Sequence, residues 1–286
     1  MDTLFSNYDF RIFAVDRTEL DSSWDSDLFR PAIRYTHCTR LYLPLEGEGT
    51  LTYQGKILRL KPGKMYLIFP AALVRIKCET RLVKYWIHFN LLNSSTNIDF
   101  FAFQREILEI PVTKDKLSLY CGYFETLRKF YKGRSSVKRS VIDELEAKSM
   151  LSLLLVPFLH HLSYPQEEND FFKIIELCQY MSQNISKHIT VVELGKRIHL
   201  HPNYLSNLFH RHTGLSPIAY LDSLRMQYAM EELCHGKLRI SEIAEKAGSN
   251  SLQAFSRKFT KFLGISPRDY RKKMKNGTTE FYRLKD

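Results

Sequence analysis

The chain has 286 residues, 44% of them apolar and 13% aromatic, which is long enough for two domains and apolar enough to give each a buried core. Long disordered stretches are not expected, and the longest apolar run, at 150–159, is too short to cross a membrane. Five scattered cysteines without CxxC spacing fit reduced thiols better than disulfides or a zinc site, and no secretion signal is visible, so we expect a cytoplasmic protein.

The positive charge is concentrated toward the end of the chain. Residues 171–286 hold 19 Lys and Arg against 10 Asp and Glu, whereas residues 1–170 hold 23 against 21. A basic module joined to a nearly neutral one indicates a polyanionic partner for that module alone. Nucleic acid is favoured over an anionic membrane, because no segment has the pattern of a basic amphipathic helix with Trp or Phe on its apolar face.

Residues 30–90 have the pattern of short β-strands. Apolar residues alternate at Leu41, Leu43 and Leu45, and Gly- or Pro-containing turn signals follow at "EGEG", "YQGK" and "KPGK". Strands of this kind predict a sandwich or a small barrel. The stretch "LVKYWIHFNLL" at 82–92 predicts one further strand.

Beyond about residue 98 the periodicity becomes helical. Apolar residues recur at three- and four-residue spacing in "KLSLYCGYFETLRKFYK" and "VIDELEAKSMLSLLLVPFLHHL". The stretch "SYPQEEND" at 163–170 is predicted to be a linker, and helical segments alone follow it. The predicted organisation is a β-rich domain at 1–98, a helical segment at 99–162, the linker at 163–170 and a basic helical domain at 171–286.

The helical segment in the middle of the chain has two interpretations. It forms either an intramolecular layer or a dimer interface, and spacing alone does not separate the two. Its candidate apolar residues are Leu145, Met150, Leu153, Leu154 and Phe158.

The basic domain contains an internal duplication. The turn "GLSPIAY" at 214–220 recurs as "GISPRDY" at 264–270, and residues before it match at the same offset of fifty, such as Phe209 with Phe259. Each unit reads as a short helix, a turn, a longer helix and then the Gly-x-Ser-Pro turn. That is the layout of a helix-turn-helix unit, whose second helix enters the DNA major groove.

The two longer helices have one apolar and one polar face. Leu205, Leu208 and Phe209 form the inward stripe of the first, and the second is predicted to bury Phe255, Phe259 and Phe262. Asn and Gln can pair with adenine and Arg with guanine, so the polar faces are candidates for base readout. The predicted base-reading residues are Asn203, Ser206, Asn207, Gln253, Ser256 and Arg257, and the predicted phosphate contacts are Lys196, Arg197, Arg211, Lys258 and Lys261.

The span from about 172 to 275 resembles the DNA-binding domain of AraC-type (AraC/XylS) transcription regulators. The resemblance is carried by "VVELGKRIHLHPNYLSNLFHRHTGLSPIAYLDSLRMQYAMEEL" and "ISEIAEKAGSNSLQAFSRKFTKFLGISPRDYRK". It implies seven helices, with two helix-turn-helix subdomains joined by a long helix near 217–234. It also implies binding to successive major-groove faces on one side of the DNA.

Two departures from the family pattern concern the second turn and the first recognition helix. Ser249 follows Gly248 where a large aromatic residue is usual, which is expected to loosen the packing of the second unit. His201 stands at the usual small N-cap and is expected to cap imperfectly, at a cost of about 1 kcal/mol.

The β-rich domain resembles the cupin-like sensor barrel of the same family, through "LPLEGEGTLTYQGKILRLKPGKMYLIFP" and "KYWIHFN". At the two-residue period of a strand, Arg40 and Tyr42 share one face, and Lys84, Trp86 and His88 share another. A Trp flanked by cationic and imidazole groups suits a polar ligand such as a sugar. The alternative is that these residues face solvent or a neighbouring helix; Arg34 and His37 are weaker additions to the site.

Enzymatic and metal-binding alternatives have less support in the sequence. A catalytic cupin needs a His-x-His pair, whereas here Thr39 stands at the second place after His37. The four histidines at 199, 201, 210 and 212 straddle a helix that already has another predicted role. We therefore predict no catalytic residue, no metal and no cofactor.

The expected protein is an α+β multidomain transcription regulator. It combines a cupin-like β-barrel and a helical dimerisation segment with an all-α domain of two helix-turn-helix units. Its expected partners are double-stranded DNA, a small-molecule effector, RNA polymerase and a second copy of the chain. Two rivals stay open: a cupin enzyme fused to a DNA-binding tail, and a ligand-independent regulator whose barrel serves only as a scaffold.

Overall fold

The computed structural model describes residues 8–24, 38–53, 55–70, 74–94, 99–104, 106–132, 140–162, 169–235 and 237–275. The contacts divide the chain into two compact units. The sheet unit is built on Phe10–Asn90 and Glu106–Leu162, and the helical unit on Leu91–Arg105 and Ser163–Lys275.

The sheet unit contains one antiparallel sheet with the strand order β1-β5-β2-β4-β6, and β3 pairs with β2. Among the described residues, β1 and β6 stand at the two ends of this order, so the sheet is not closed and the cupin-like barrel stays a prediction. The strands are β1 (Tyr8–Asp21), β2 (Thr39–Tyr53), β3 (Lys56–Leu60), β4 (Lys64–Ile68), β5 (Val74–Asn93) and β6 (Leu108–Pro111).

Two register shifts bend β2 against β5, one between Pro44 and Glu46 and one between Gly47 and Gly49. Gly47 has a φ of +68°, and a Cβ built there would lie 1.9 Å from the carbonyl oxygen of Arg81. Only glycine fits this close approach of two backbones. The "EGEG" turn signal therefore marks a bulge inside a long strand rather than the end of a strand.

Two helices, α1 (Lys114–Lys132) and α2 (Val141–Leu159), complete the sheet unit. The ring of Phe124 on α1 stacks on Tyr85 of β5, with the ring centroids 5.2 Å apart. A capping box starts α2, because Ser140 Oγ accepts from the Asp143 N–H at 3.1 Å while the Asp143 carboxylate accepts from the Ser140 N–H at 3.2 Å.

The candidate apolar residues of α2 divide between its two sides. Leu154 and Phe158 are buried inside the unit, Met150 is half-buried, and Leu145 and Leu153 are exposed. The helix thus has an intramolecular face and an exposed apolar face.

Two predictions about the sheet unit were wrong. The chain does not become helical at residue 98, because β6 comes first and pairs with β4, opposing Ile110 to Met65. The strand pattern also does not start at residue 30, since β1 lies before it. A four-residue strand is too short to show a period, and β1 has no Gly or Pro turn at its start to delimit it.

The helical unit contains seven helices between residues 169 and 275, as the family resemblance implies. The first helix begins inside the predicted linker, whose other residues lie outside the described part of the chain. The helices are α3 (Asn169–Gln183), α4 (Val191–Arg197), α5 (Pro202–Thr213), α6 (Pro217–His235), α7 (Ile240–Lys246), α8 (Leu252–Leu263) and α9 (Pro267–Lys275).

A segment that begins in the last three residues of β5 belongs to the helical unit. Asp99 is buried there and accepts hydrogen bonds from the backbone N–H groups of Leu91 at 3.2 Å and Phe101 at 2.7 Å. Burial raises the pKa of Asp99 to about 7. Phe103 packs on the core around α5, and its ring lies 5.1 Å from that of Phe171. This stretch, at 91–105, is called the connecting segment below.

Candidate nucleic-acid interface and effector site

The duplication in the sequence is a duplication in structure. Helices α5 and α8 have twelve residues each, and each ends at a glycine in the left-handed conformation, Gly214 with φ +76° and Gly264 with φ +72°. Pro217 and Pro267 then open α6 and α9. Each glycine lets the chain reverse at the end of a helix without the steric cost that a Cβ would bring.

The two units also repeat the same aromatic contact. Phe209 of α5 packs edge-on against Tyr220, with centroids 5.4 Å apart, and Phe259 of α8 packs in the same way against Tyr270 at 5.5 Å. The tyrosine of each Gly-x-Ser-Pro-x-x-Tyr turn therefore holds the inner face of the helix before it. The apolar stripes are buried as predicted, except that Leu263 replaces the half-buried Phe262 at the end of α8.

The recognition helices α5 and α8 both have side-chain N-caps. Ser251 Oγ accepts from the Ala254 N–H at 3.1 Å. His201 Nδ1 accepts from the Asn203 N–H at 3.3 Å, so the imidazole takes the role of the missing small cap. His201 was expected to cap the helix imperfectly. The hydrogen bond is long at 3.3 Å, but the Asn203 N–H does have a side-chain partner.

Four of the six predicted base-reading residues lie on the exposed faces of these helices: Asn203, Asn207, Gln253 and Arg257. Ser206 and Ser256 are half-buried. The hydroxyl of Ser206 donates to the carbonyl oxygen of Pro202 at 2.9 Å, which engages it within its own helix. The structure thus places the Asn203 and Asn207 amides on one face of α5. It places the Gln253 amide and the Arg257 guanidinium on one face of α8.

The five predicted phosphate contacts are all exposed, and two of them have anionic neighbours. Lys258 Nζ donates to Asp222 Oδ1 at 2.5 Å, and Arg197 Nε lies 3.2 Å from Glu176 Oε1. The Arg197 guanidinium also lies over the ring of Tyr180, 4.4 Å from its centroid. Exposed ion pairs of this kind contribute about 0–1 kcal/mol, so both side chains can be redirected to a phosphate at small cost.

Two exposed side chains at the starts of the recognition helices are further candidates for DNA contacts and are absent from the predicted set. Tyr204 is 46% exposed and Leu252 is 42% exposed, and both lie outside the buried stripes. The Tyr204 hydroxyl donates to Asp170 Oδ2 at 3.2 Å. In the sequence, each of these positions can be recognised as an aromatic or aliphatic residue that is not one of the predicted residues of the buried stripe. An apolar side chain at such a position can contact a thymine methyl group.

A junction around Arg225 of α6 fixes the two helix-turn-helix units relative to each other. Arg225 Nε donates to the carbonyl oxygen of Ile185 at 2.8 Å, and Nη2 donates to that of Lys187 at 2.7 Å. Gly248, in the turn of the second unit with φ +68°, packs against this guanidinium. The equivalent turn of the first unit has His199 at φ +56°.

The predicted effector residues come together in the sheet unit. In the β2–β5 ladder Arg40 lies opposite His88, and Tyr42 lies opposite Trp86. Lys84 lies opposite Pro44, so the side chains of both strands share one face. The alternative that they face solvent is wrong, because all five predicted residues are buried.

The cluster contains cationic groups close to aromatic rings. Lys84 Nζ lies over the ring of Tyr42, 3.6 Å from its centroid, and the rings of Trp86 and His88 are 4.8 Å apart. Burial lowers the pKa of Lys84 to about 7, and the positive charge of Arg40 acts in the same direction. Burial, with the charges of Arg40 and Lys84, also lowers the pKa of His88 well below its usual value. Arg34 and His37 lie outside the described residues.

The opposite face of the sheet is held by a polar network from α1. Arg128 Nε donates to Asp16 Oδ1 of β1 at 3.0 Å, and its Nη1 donates to Glu125 Oε1 at 2.6 Å. The hydroxyl of Tyr85 donates to the same Glu125 carboxylate. Burial and this hydrogen bond raise the pKa of Tyr85 to about 12.

Comparison with known proteins identifies the helical unit. Residues 194–273 match the family described as "Helix-turn-helix domain", a span that runs from α4 into α9 and covers both duplicated units. The helical unit carries an AraC-type helix-turn-helix domain.

AraC-family relatives match most of the chain. It is 26% identical to the lactose operon transcription activator of Staphylococcus xylosus, over 81% of this chain and 82% of that protein. It is 24% identical to the Msm operon regulatory protein of Streptococcus mutans, over 95% of both, and 23% identical to the arabinose operon regulatory protein of Escherichia coli, over 81% and 79%.

A solved structure shares the fold of the whole chain. ToxT from Vibrio cholerae, solved with an unsaturated fatty acid bound, superimposes with a TM-score of 0.56 at 11% identity, over 96% of this chain and 97% of that one. A sheet-containing N-terminal part and a helical C-terminal part are thus common to both folds.

Two further properties concern the described residues alone. None of their helices is long and apolar enough to span a membrane. No group of three or more His, Cys, Asp or Glu side chains among them could hold a metal ion.

Proposed function

We propose that this chain is a sequence-specific DNA-binding transcription regulator that responds to a small polar effector such as a sugar. The observation that carries the proposal is the doubled recognition helix, with α5 and α8 held by the same Phe–Tyr contact and exposing different polar side chains. In this proposal Asn203 and Asn207 read bases for the first unit, and Gln253 and Arg257 for the second.

The names of the relatives support the effector class and the direction of regulation. Three of them are named for the lactose, arabinose and Msm operons, and one is named an activator. In our proposal the present chain likewise activates transcription by contacting RNA polymerase when its effector is bound.

The effector is proposed to bind at the cluster of Arg40, Tyr42, Lys84, Trp86 and His88. The Trp86 ring can stack on a sugar face while charged groups bond to its polar atoms. The connecting segment continues directly from β5, the strand that holds Lys84, Trp86 and His88, and it packs within the helical unit on the core of the first helix-turn-helix. We propose that a change at β5 is transmitted through this covalent connection.

Homodimerisation is proposed to use the exposed apolar face of α2. Ile142, Leu145, Leu153 and Val156 lie on one side of this helix by their three-, eight- and eleven-residue spacing, and all are exposed. Two copies joined there present two pairs of recognition helices to repeated DNA half-sites. The domains at 1–98, 99–162 and 171–286 remain our proposal for the functional division of the chain, with the connecting segment shared between functions.

The DNA-binding proposal predicts selective recovery of specific genomic fragments by the purified full-length protein. We expect a recurrent sequence with two separated boxes, because two recognition helices each read a few bases. For each copy bound, affinity is expected to fall on the order of 10²–10³-fold between 50 and 200 mM salt, since about five phosphates are contacted by each copy. Fluorescence anisotropy measures this slope. Recovery of unrelated fragments with equal affinity would contradict the proposal.

A further inference from the structure

The connecting segment is folded as a fixed part of the helical unit. Leu92 and Asp99 pair across it in an isolated β-bridge, and the Phe100 N–H donates to the carbonyl oxygen of Leu91 at 2.7 Å. The side chain of Phe101 is completely buried. A chain segment with its own backbone hydrogen bonds and a buried aromatic side chain resists local opening, so its contacts with neighbouring helices persist.

Two aromatic contacts lead from this segment to the first recognition helix. The ring of Phe103 lies 5.1 Å from that of Phe171 in α3, and the two ring planes are inclined by 75°. The ring of Phe171 lies in turn 5.7 Å from that of His212, in the last turn of α5. Ring pairs prefer particular separations and inclinations, so a displacement of one ring is passed to the next.

The first turn of α3 also contacts the other end of α5. Asp170, directly before Phe171, accepts a hydrogen bond from the hydroxyl of Tyr204 at 3.2 Å. Tyr204 lies in the first turn of α5 and His212 in its last turn, so two neighbouring residues of α3 contact both ends of the recognition helix. The placement of α5 therefore depends on the placement of this turn, against which Phe103 is packed.

The hydrophobic cluster that the connecting segment joins belongs to the first helix-turn-helix unit. Ala102 and Phe103 pack on this cluster, which among the described residues draws on α3 to α6 and on no residue of α7, α8 or α9. The inner face of α8 is held within its own unit, by the contact of Phe259 with Tyr270. Through this cluster the connecting segment supports α5 and not α8.

We propose that Phe103 is a positioning residue for DNA reading, which holds the first turn of α3, and through that turn α5, in the orientation that reads the first DNA box. The inference rests on the proposed function, and it assigns the support of the connecting segment to one of the two recognition helices. Phe103 lies outside the predicted DNA-binding domain at 171–286 and has no proposed contact with DNA. Its removal opens a gap beside Phe171, so the first turn of α3 and the helix α5 gain freedom of movement.

Three variants of the full-length protein test this role. Phe103→Ala removes the ring, and Phe103→Leu keeps most of its apolar volume. Ile107→Ala is the matched control, because Ile107 is also half-buried but packs against the core of the sheet unit. Hydrogen exchange of the backbone N–H groups reports α5 and α8 separately in the free protein. Binding to every single-base variant of the selected DNA site reports the two boxes separately, and the first box is the one in which Asn207→Ala loses base preference.

In Phe103→Ala we expect the N–H groups of α5 to exchange about tenfold faster or more, and those of α8 to change by less than about threefold. Base discrimination in the first box should fall by about three- to tenfold, while discrimination in the second box is kept. Phe103→Leu should recover more than half of each loss because it refills the gap, and Ile107→Ala should alter neither helix.

Equal acceleration of exchange in α5 and α8 would overturn the inference, because Phe103 would then stabilise the helical unit as a whole. Unchanged exchange in α5 would do so too, as would discrimination in the first box that is unchanged or is lost equally with that in the second. Recovery of no specific DNA site contradicts the proposed function instead. The exchange measurement needs no DNA, so it still decides in that case whether Phe103 positions α5.

Discussion

Gly248→Ala is expected to lower the free energy of unfolding of the helical unit by about 2–4 kcal/mol. Gly248 has a φ of +68°, which costs a residue with a Cβ about 1 kcal/mol, and the new Cβ would lie 2.6 Å from the backbone oxygen of Ile185 and 2.8 Å from Arg225 Nη2. Because the backbone oxygen cannot move aside cheaply, the second helix-turn-helix shifts relative to the first. DNA affinity is therefore expected to fall roughly tenfold or more.

Gly63→Ala is the matched control for this substitution. Gly63 also has a positive φ, +82°, but nothing lies within 4 Å of the Cβ that would be added. We expect it to cost only the backbone contribution of about 1 kcal/mol and to leave DNA affinity unchanged. Chemical unfolding and anisotropy on both variants measure the two effects. Equal losses of DNA affinity would show that the Arg225–Gly248 packing does not set the arrangement of the recognition helices.

Arg128→Met is expected to destabilise the sheet unit by about 3–5 kcal/mol. The substitution removes the guanidinium that bonds to Asp16 at 3.0 Å, and the Asp16 side chain is only 1% exposed. The chain then keeps a buried carboxylate without that charge partner, next to the Glu125 carboxylate that Arg128 also holds. Urea unfolding followed by circular dichroism measures the loss.

The double variant Arg128→Met/Asp16→Asn separates the charge from the packing. Removing the buried negative charge should recover more than half of the lost stability, because the uncompensated ion is the main cost. Arg59→Met, which breaks an exposed pair with Glu48 at 3.5 Å, should cost less than about 0.5 kcal/mol. No recovery in the double variant would mean that Arg128 stabilises the unit through its aliphatic packing.

The helical unit could be predicted almost completely from the sequence, for local reasons. Its stripes of Leu205, Leu208 and Phe209 repeat at helical spacing, and glycine and proline mark the same positions in both copies. Helix ends, turns and inward faces are determined by residues within a few positions of one another, and such signals are readable without tertiary contacts.

The sheet unit was less predictable, because its decisive contacts join distant residues. Alternation placed Lys84, Trp86 and His88 on one face, but it could not tell whether that face is buried or exposed. Only the pairing of β5 with β2 brings Arg40 and Tyr42 to the same side. The short strand β6 and the part of the connecting segment after residue 98 likewise owe their places to partners far along the chain, and both had been predicted to lie in a helical segment.

The turn of the second unit is packed closely at Gly248, not at Ser249. The family pattern predicts a looser second unit from Ser249, whose hydroxyl donates to the carbonyl oxygen of Ser251 at 3.1 Å. The close contacts of this turn come from Gly248 instead, through Arg225 and Ile185. The arrangement of α5 relative to α8 is thus expected to depend on Gly248, a residue that is not predicted to contact DNA.

Helices α5 and α8 are proposed to read different bases of one DNA site. The base preference of Asn207→Ala and Arg257→Ala tests this proposal, measured by binding to every single-base variant of the selected site, with Lys261→Ala as a predicted phosphate contact. We expect each of the first two to lose about 1–3 kcal/mol of discrimination at its own position, in separate boxes, and Lys261→Ala to weaken all variants equally. Uniform weakening by Asn207→Ala and Arg257→Ala, with base preference intact in both boxes, would contradict the account.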